Sequence, residues 1–192
     1  MARASAADAA ETARRILETA ASHFAAQGYG AASVDEIARA SAVTRGAVYH
    51  HYTSKPLLFA AVAAEQQRIV ADAIVTATAE STPDTALRDG SHAFLDAITR
   101  GAASRVLLID GPAVLGWEEW RRLDGEGPEQ ELRTGLREAG VSPALLGPLT
   151  AALSGAMNEL ALWLVASPDD DDARTDAHAA LDRLLNAVAP RS

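Results

Sequence analysis

Residues 41–55 read "SAVTRGAVYHHYTSK". This stretch holds the only lysine of the chain, Lys55, two adjacent histidines, His50 and His51, and two of the three tyrosines, Tyr49 and Tyr52. Thr44 is a good helix cap, so the spacing predicts a short helix over Arg45–His51. That helix carries Gly46 in its first turn, which costs about 1 kcal/mol in a helix interior. A segment so short, so rich in hydrogen-bonding side chains and weakened by a glycine is not built for packing alone.

The residues just upstream explain the placement. "SVDE", 33–36, has the pattern of a capping box, with Ser33 as cap and Glu36 three positions on. It predicts a helix over Val34–Ala40, and "SAV" then makes a tight turn into the Arg45 helix. Two short helices joined by a three-residue turn form a helix-turn-helix. At 100° per residue, Val48 and Tyr52 face one way, and Arg45, Gly46, Tyr49 and His50 face the other. Ala47 and His51 lie on the flank.

That division suits a helix laid in the major groove of DNA. Gly46 lets the backbone approach base edges. Ala47 offers a methyl group to a thymine methyl, and Arg45 can fork onto guanine or grip a phosphate. Thr44, Tyr49, His51 and Lys55 suit phosphate oxygens, as do the free N–H groups at the helix starts near Ser33. His50 completes the exposed set.

Outward from this stretch, nearly everything reads as helix. A first helix over Glu11–Gln27 has an apolar stripe of Ile16, Leu17, Ala20, Ala21 and Phe24, and Gly28 and Gly30 end it. Ser54 caps a long helix starting near Lys55 and Pro56. Further helices are expected from Pro83 to Arg100, over Arg105–Ile109, through "AVLGWEEWRRL" after a break at Asp110-Gly111-Pro112, and through "QELRTGLREAG" to Gly140. "DGEGPE", 124–129, reads as a polar loop or kink. Ser142 caps an apolar helix to Ala166, and a last helix ends at Val188. No segment alternates as a strand would. The expected fold is all-α, with a helix-turn-helix domain over 1–55 and a larger helical domain over 56–192.

Composition bounds the function. The chain has 192 residues, a net charge of −9 and no cysteine, so disulfides and thiolate chemistry are excluded. The charge is uneven. Residues 1–55 carry six Arg/Lys against five Asp/Glu, and residues 56–192 carry eleven against twenty-one. A near-neutral head and an acidic body point to different partners. The N-terminus lacks the apolar core of a signal peptide. "LLFAAVAA" and "LALWLVA" fall far short of the roughly 18 residues of a membrane span. A cytoplasmic protein is expected, with no membrane partner. No G-x-S-x-G, P-loop or H-E-x-x-H motif is present, so no enzyme, cofactor or metal site is expected. Gly28-x-Gly30 lacks the preceding strand of a phosphate loop. The acidic run Asp169–Asp172 suits a helix start better than a metal.

Residues 16–62, "ILETAASHFAAQGYGAASVDEIARASAVTRGAVYHHYTSKPLLFAAV", resemble the N-terminal DNA-binding domain of the TetR family of repressors. The landmarks come in order: Phe24, Gly28, Ser33-x-x-Glu36-Ile37-Ala38, Val43-Thr44-Arg45-Gly46-Ala47-Val48-Tyr49, His51-Tyr52 and Ser54-Lys55. Phenylalanine is commoner where Tyr52 stands, and His50 occupies a variable position. The resemblance implies an all-helical homodimer, a palindromic DNA operator, a ligand cavity in the body, and release of DNA when a small-molecule inducer fills it.

The body has features of its own. "PLTAALSGAMNELALWLVA", 148–166, is apolar nearly all round and must be buried on more than one face. Its small residues permit close helix approach. "AHAALDRLLNAVA" adds an amphipathic stripe, and two such helices from each of two chains would make a four-helix bundle. Candidate ligand contacts are His92, Phe94, Trp117, Trp120, Met157 and Asn158, apolar bodies with a few polar anchors.

Overall fold

The computed structural model describes residues 6–167, 170 and 172–188. The chain forms α1 (Ala6–Ala31), α2 (Val34–Ala40), α3 (Arg45–Tyr52), α4 (Lys55–Thr78) and α5 (Pro83–Ile98). A π-helical segment (Ser104–Asp110) follows, then α6 (Gly111–Leu115), α7 (Trp117–Gly125), α8 (Pro128–Glu138), α9 (Pro143–Val165) and α10 (Ala173–Val188). Among the described residues there is no strand. The fold is the expected all-α one, an N-terminal helix-turn-helix unit and a larger helical body.

The caps fix the first unit. Ser33 Oγ accepts from the Asp35 N–H, Thr44 Oγ1 from Ala47 and Ser54 Oγ from Leu57. Each satisfies a backbone donor that the helix itself leaves free. The box at Ser33 closes from one side only, since the side-chain bond comes from Ser33 and none returns from Glu36. Ser142 takes an extended cap conformation but makes no side-chain bond.

Ile16, Ala20 and Phe24 of α1, Ile37 of α2, Val48 of α3, and Leu58, Phe59 and Val62 of α4 are buried together. Phe59 meets Phe24 edge-on at 5.1 Å and Tyr29 edge-on at 5.2 Å. Truncating it to alanine would cost about 3–5 kcal/mol. The core of the helix-turn-helix unit is therefore closed by α4, which begins where the sequence suggests the second part starts. Tyr52 justifies its hydroxyl by donating 2.8 Å to the Ala13 carbonyl, tying α3 to α1.

One expected break falls elsewhere. The chain does not turn at Asp110-Gly111-Pro112. The π-helical segment runs straight into α6, with Pro112 in the first turn, where no N–H is needed. Gly111 serves packing instead, because a Cβ there would lie 2.7 Å from the Val106 carbonyl and 3.0 Å from Trp120 Cδ1. The chain breaks at Gly116, whose φ of 81° separates α6 from α7. "DGEGPE" is a kink rather than an extended loop, with α7 running to Gly125, a turn at Glu126-Gly127 and α8 starting at Pro128. The first helix is also longer than its stripe implies, continuing through a kink at Gly28 to Ala31.

In the body, α4 and α5 pack along their lengths, and α8, α9 and α10 cover them. Two mirrored charge clusters brace α5 against α10. Asp182 takes Arg88 at 2.8 Å and His92 at 2.8 Å, and Asp96 takes Arg174 and His178. The two imidazoles lie 4.4 Å apart. Of the acidic run before α10, Asp169 and Asp171 lie outside the described residues.

Candidate nucleic-acid interface

Helix α3 buries Val48 and half-buries Tyr52, and it leaves Thr44, Arg45, Gly46 and His50 exposed. Ala47, Tyr49 and His51 are half-buried on the flanks. Tyr49 packs its ring partly on the core, and its hydroxyl meets Arg45 on the exposed face. Gly46 has open space around it, its nearest neighbour to a built Cβ being Thr44 Oγ1 at 3.7 Å. None of the described residues demands a glycine here.

Arg45 is held by two partners. Its Nη1 donates to Asp35 Oδ2 at 2.8 Å, and its Nη2 donates to the Tyr49 hydroxyl at 3.3 Å. The guanidinium sits 5.4 Å from the Tyr49 ring centre. Lys55 lies across the α1–α4 junction, with Nζ 4.5 Å from the Tyr29 ring centre and 3.4 Å from the Gly30 carbonyl. Ser33 and Thr44 spend their hydroxyls on caps. Asp35 went unnoticed in the sequence, because no helical period runs across the turn that brings α2 beside α3.

This unit is fastened to the body through the end of α1. The Tyr29 N–H donates to Asp110 Oδ2 at 2.8 Å, and Arg105 Nε lies 3.5 Å from the same oxygen.

The body candidates do not gather in one place. Phe94 and Met157 line a cavity of about 70 Å³ between α4, α5, α8 and α9, with Ile74, Leu87, Leu132 and Gly135. His92 lies outside that lining, on Asp182 at the α5–α10 face. Trp117 is 66% exposed and stacks on Trp120 at 5.3 Å. Trp120 is buried and donates Nε1–H to the Leu107 carbonyl at 2.7 Å. Asn158 is buried with its Oδ1 unpartnered.

A buried polar cluster also escaped the sequence reading. Asp124 is 2% exposed, 3.0 Å from Arg121, and accepts from Ser154 Oγ at 3.2 Å. Burial pushes its carboxyl up to about 6, and Arg121 only partly offsets that. Gln67 of α4 is buried too, with its Oε1 unpartnered, and slightly lowers the Asp124 carboxyl. Among the described residues no group of His, Asp or Glu could hold a metal ion, and no helix is long and apolar enough to cross a membrane.

Residues 16–62 match the family described as bacterial regulatory proteins, tetR family, and residues 85–188 match the tetracyclin repressor-like C-terminal domain. The second match alone covers more than half of the chain. The chain belongs to the TetR family. Within it, the chain is 49% identical over 67 residues to the HTH-type transcriptional regulator SrpR of Pseudomonas putida, covering 35% of this chain and 32% of that protein. It is 31% identical over 116 residues to the transposon Tn10 TetC protein of Escherichia coli, covering 60% of this chain and 58% of that one. These matches thus span about a third to three-fifths of the curated relatives' length. A TetR-family transcriptional regulator from Pectobacterium atrosepticum shares the fold almost end to end, with a TM-score of 0.77 and 26% identity over 97% of this chain and 98% of that one. The fatty acid degradation regulator FadR of Bacillus halodurans shares the fold alone, at 16% identity and a TM-score of 0.74.

Proposed function

We propose that this TetR-family protein is a DNA-binding transcriptional repressor, a binding protein rather than an enzyme, that meets a palindromic operator as a homodimer. One observation carries the reading: α3 turns Val48 into the core and leaves Thr44, Arg45, Gly46 and His50 exposed on its opposite face. Residues 1–55 supply the DNA-binding part and residues 56–192 the ligand-binding and dimerisation part, with α4 serving both cores. Arg45, Gly46 and Ala47 face base edges. Ser33, Thr44, Tyr49, His51 and Lys55 face phosphates, and His50 lies beside them.

The dimer reading rests on a row along α9. Leu145, Pro148, Ala152, Gly155 and Trp163 are exposed at helical spacing, with the exposed Glu159 among them, and Leu184 of α10 is exposed as well. A second copy covering this row would complete a four-helix bundle. Release by a small, mainly apolar inducer rests on the Phe94–Met157 cavity. At about 70 Å³ it is well below the roughly 300 Å³ of a typical ligand site. A ligand would have to favour a wider conformation, and a preference of about 1–3 kcal/mol would shift operator affinity by a measurable factor.

The test is selection of bound fragments from random-sequence DNA by the full chain. Enrichment of one palindrome with half-sites about one helical turn apart supports the reading. Binding of no duplex, or of all duplexes alike, defeats it.

A further inference from the structure

We propose that Asp35 is a positioning residue that makes Arg45 a reader of bases rather than a clamp on phosphate. The inference deepens the DNA-binding reading above and rests on it. Asp35 stands in the first turn of α2, where its backbone N–H is capped by Ser33. Its carboxylate is thus carried by the helix that crosses behind α3, not by the reading helix itself. Asp35 Oδ2 takes Nη1 of Arg45 at 2.8 Å, and the Tyr49 hydroxyl takes Nη2 at 3.3 Å.

Two consequences follow from the chemistry of the guanidinium. It has five N–H donors in one plane. Two are used here, one on each Nη, so Nε–H and one hydrogen on each Nη remain. When Tyr49 takes the Nη2 hydrogen that points away from Nε, the Nε–H and the other Nη2 hydrogen remain as a parallel fork able to meet O6 and N7 of a guanine. Because one end is fixed from α2 and the other from α3, the plane of the fork is set before DNA arrives, and less rotamer freedom is lost on contact.

The second consequence concerns charge. A phosphate attracts a point charge, and the pull that an isolated Arg45 would exert is cancelled at range by a carboxylate 2.8 Å away. Hydrogen bonds to a base edge depend on donor geometry, which the pair preserves. The pair therefore weakens what Arg45 could contribute on any sequence and keeps what it contributes on the right one. As a surface ion pair, more than half exposed on both sides, it adds little to folding, so its removal leaves the fold intact.

The experiment uses the full chain with two duplexes, the operator selected by the wild type and a mixed-sequence duplex of equal length. Affinities are measured across a salt series for wild type, Asp35→Asn, Asp35→Ala, Arg45→Ala and each Asp35 change combined with Arg45→Ala. Circular dichroism checks that each variant is folded. Asp35→Asn is expected to tighten the mixed duplex and to steepen its salt slope by about 1 per half-site, one freed charge each. It is expected to lower the operator-to-mixed ratio by about tenfold, within what one bidentate contact is worth. Both effects should vanish in the Arg45→Ala background, and Asp35→Ala should repeat them. An unchanged ratio overturns the proposal. So does a gain that persists without Arg45, which would make Asp35 a general repeller of DNA. A wild type that selects no sequence defeats the DNA-binding reading itself. Normal operator selection with an unaltered Asp35→Asn ratio defeats only the positioning role.

Discussion

Gly28 and Arg105 meet where α1 ends against the π-helical segment, so closely that a methyl group on Gly28 would lie 2.9 Å from Arg105 Cζ and overlap the guanidinium beyond it. Gly28 also holds φ 77° and ψ 164°, a region open in practice only to glycine. Gly28→Ala should therefore cost about 2–3 kcal/mol, from backbone strain and from pushing Arg105 off Asp110. Urea unfolding checks it, with a midpoint lower by about 1 M. Gly30→Ala, two residues on, meets nothing within 4 Å and should be neutral or gain up to about 1 kcal/mol. Equal losses at both positions would refute the contact.

Stability should fall as pH rises through the range set by Asp124. Its folded value of about 6 lies above the ordinary carboxylate value, so between about pH 4 and pH 6 the folded chain holds a proton that the unfolded chain has lost. The folded state is then penalised as the proton leaves, by up to about 3 kcal/mol once the pH passes the folded value. Asp124→Asn should flatten this part of the stability curve, measured by urea unfolding at several pH values. A wild-type slope that survives in Asp124→Asn would place the titration elsewhere.

The glycine of the reading helix should be dispensable for folding and not for binding. Gly46→Leu should leave the melting temperature nearly unchanged, because its Cβ would meet only Thr44 Oγ1 at 3.7 Å. Operator binding should be lost as the side chain holds α3 out of the groove. Lys55→Ala should behave differently, weakening all duplexes alike and lowering the salt slope by about 1 per phosphate contact. It should also cost about 0.5–1 kcal/mol of stability through the lost contact with Tyr29. Sequence-dependent loss in Lys55→Ala would reassign it to base reading.

Trp163, 43% exposed in the α9 row, gives the oligomer test. Trp163→Glu should produce a monomer in sedimentation at micromolar concentration, since a carboxylate in place of a large apolar ring is costly to bury. An unaltered sedimentation coefficient would move the interface to another face.

The sequence was most legible where local chemistry decides the structure. Val34–Ala40 came out at its observed bounds because Ser33 and the turn after Ala40 act within a few residues. α3 came out within one residue for the same reason, through Thr44. Legibility failed where distant residues decide. Gly111 reads as a turn signal, yet it is fixed by Val106 and Trp120 closing around it. The π-helical segment has no sequence period of its own. The tie from Arg45 to Asp35 and the burial of Asp124 both depend on which helices pass each other, which spacing along one helix does not encode.

Helix α4 has one end in the reading unit at Lys55 and the other in the cavity wall at Thr78. Its 24 residues make a rod of about 36 Å. A tilt of about 10° pivoting at Thr78 would carry Lys55 about 6 Å, nearly two base-pair steps at 3.4 Å each. In a two-fold dimer the displacements of the two rods could add to about 12 Å, set against a groove repeat of about 34 Å. A ligand that widens the cavity around Met157 by tilting α4 would then leave the two reading helices unable to enter successive grooves together.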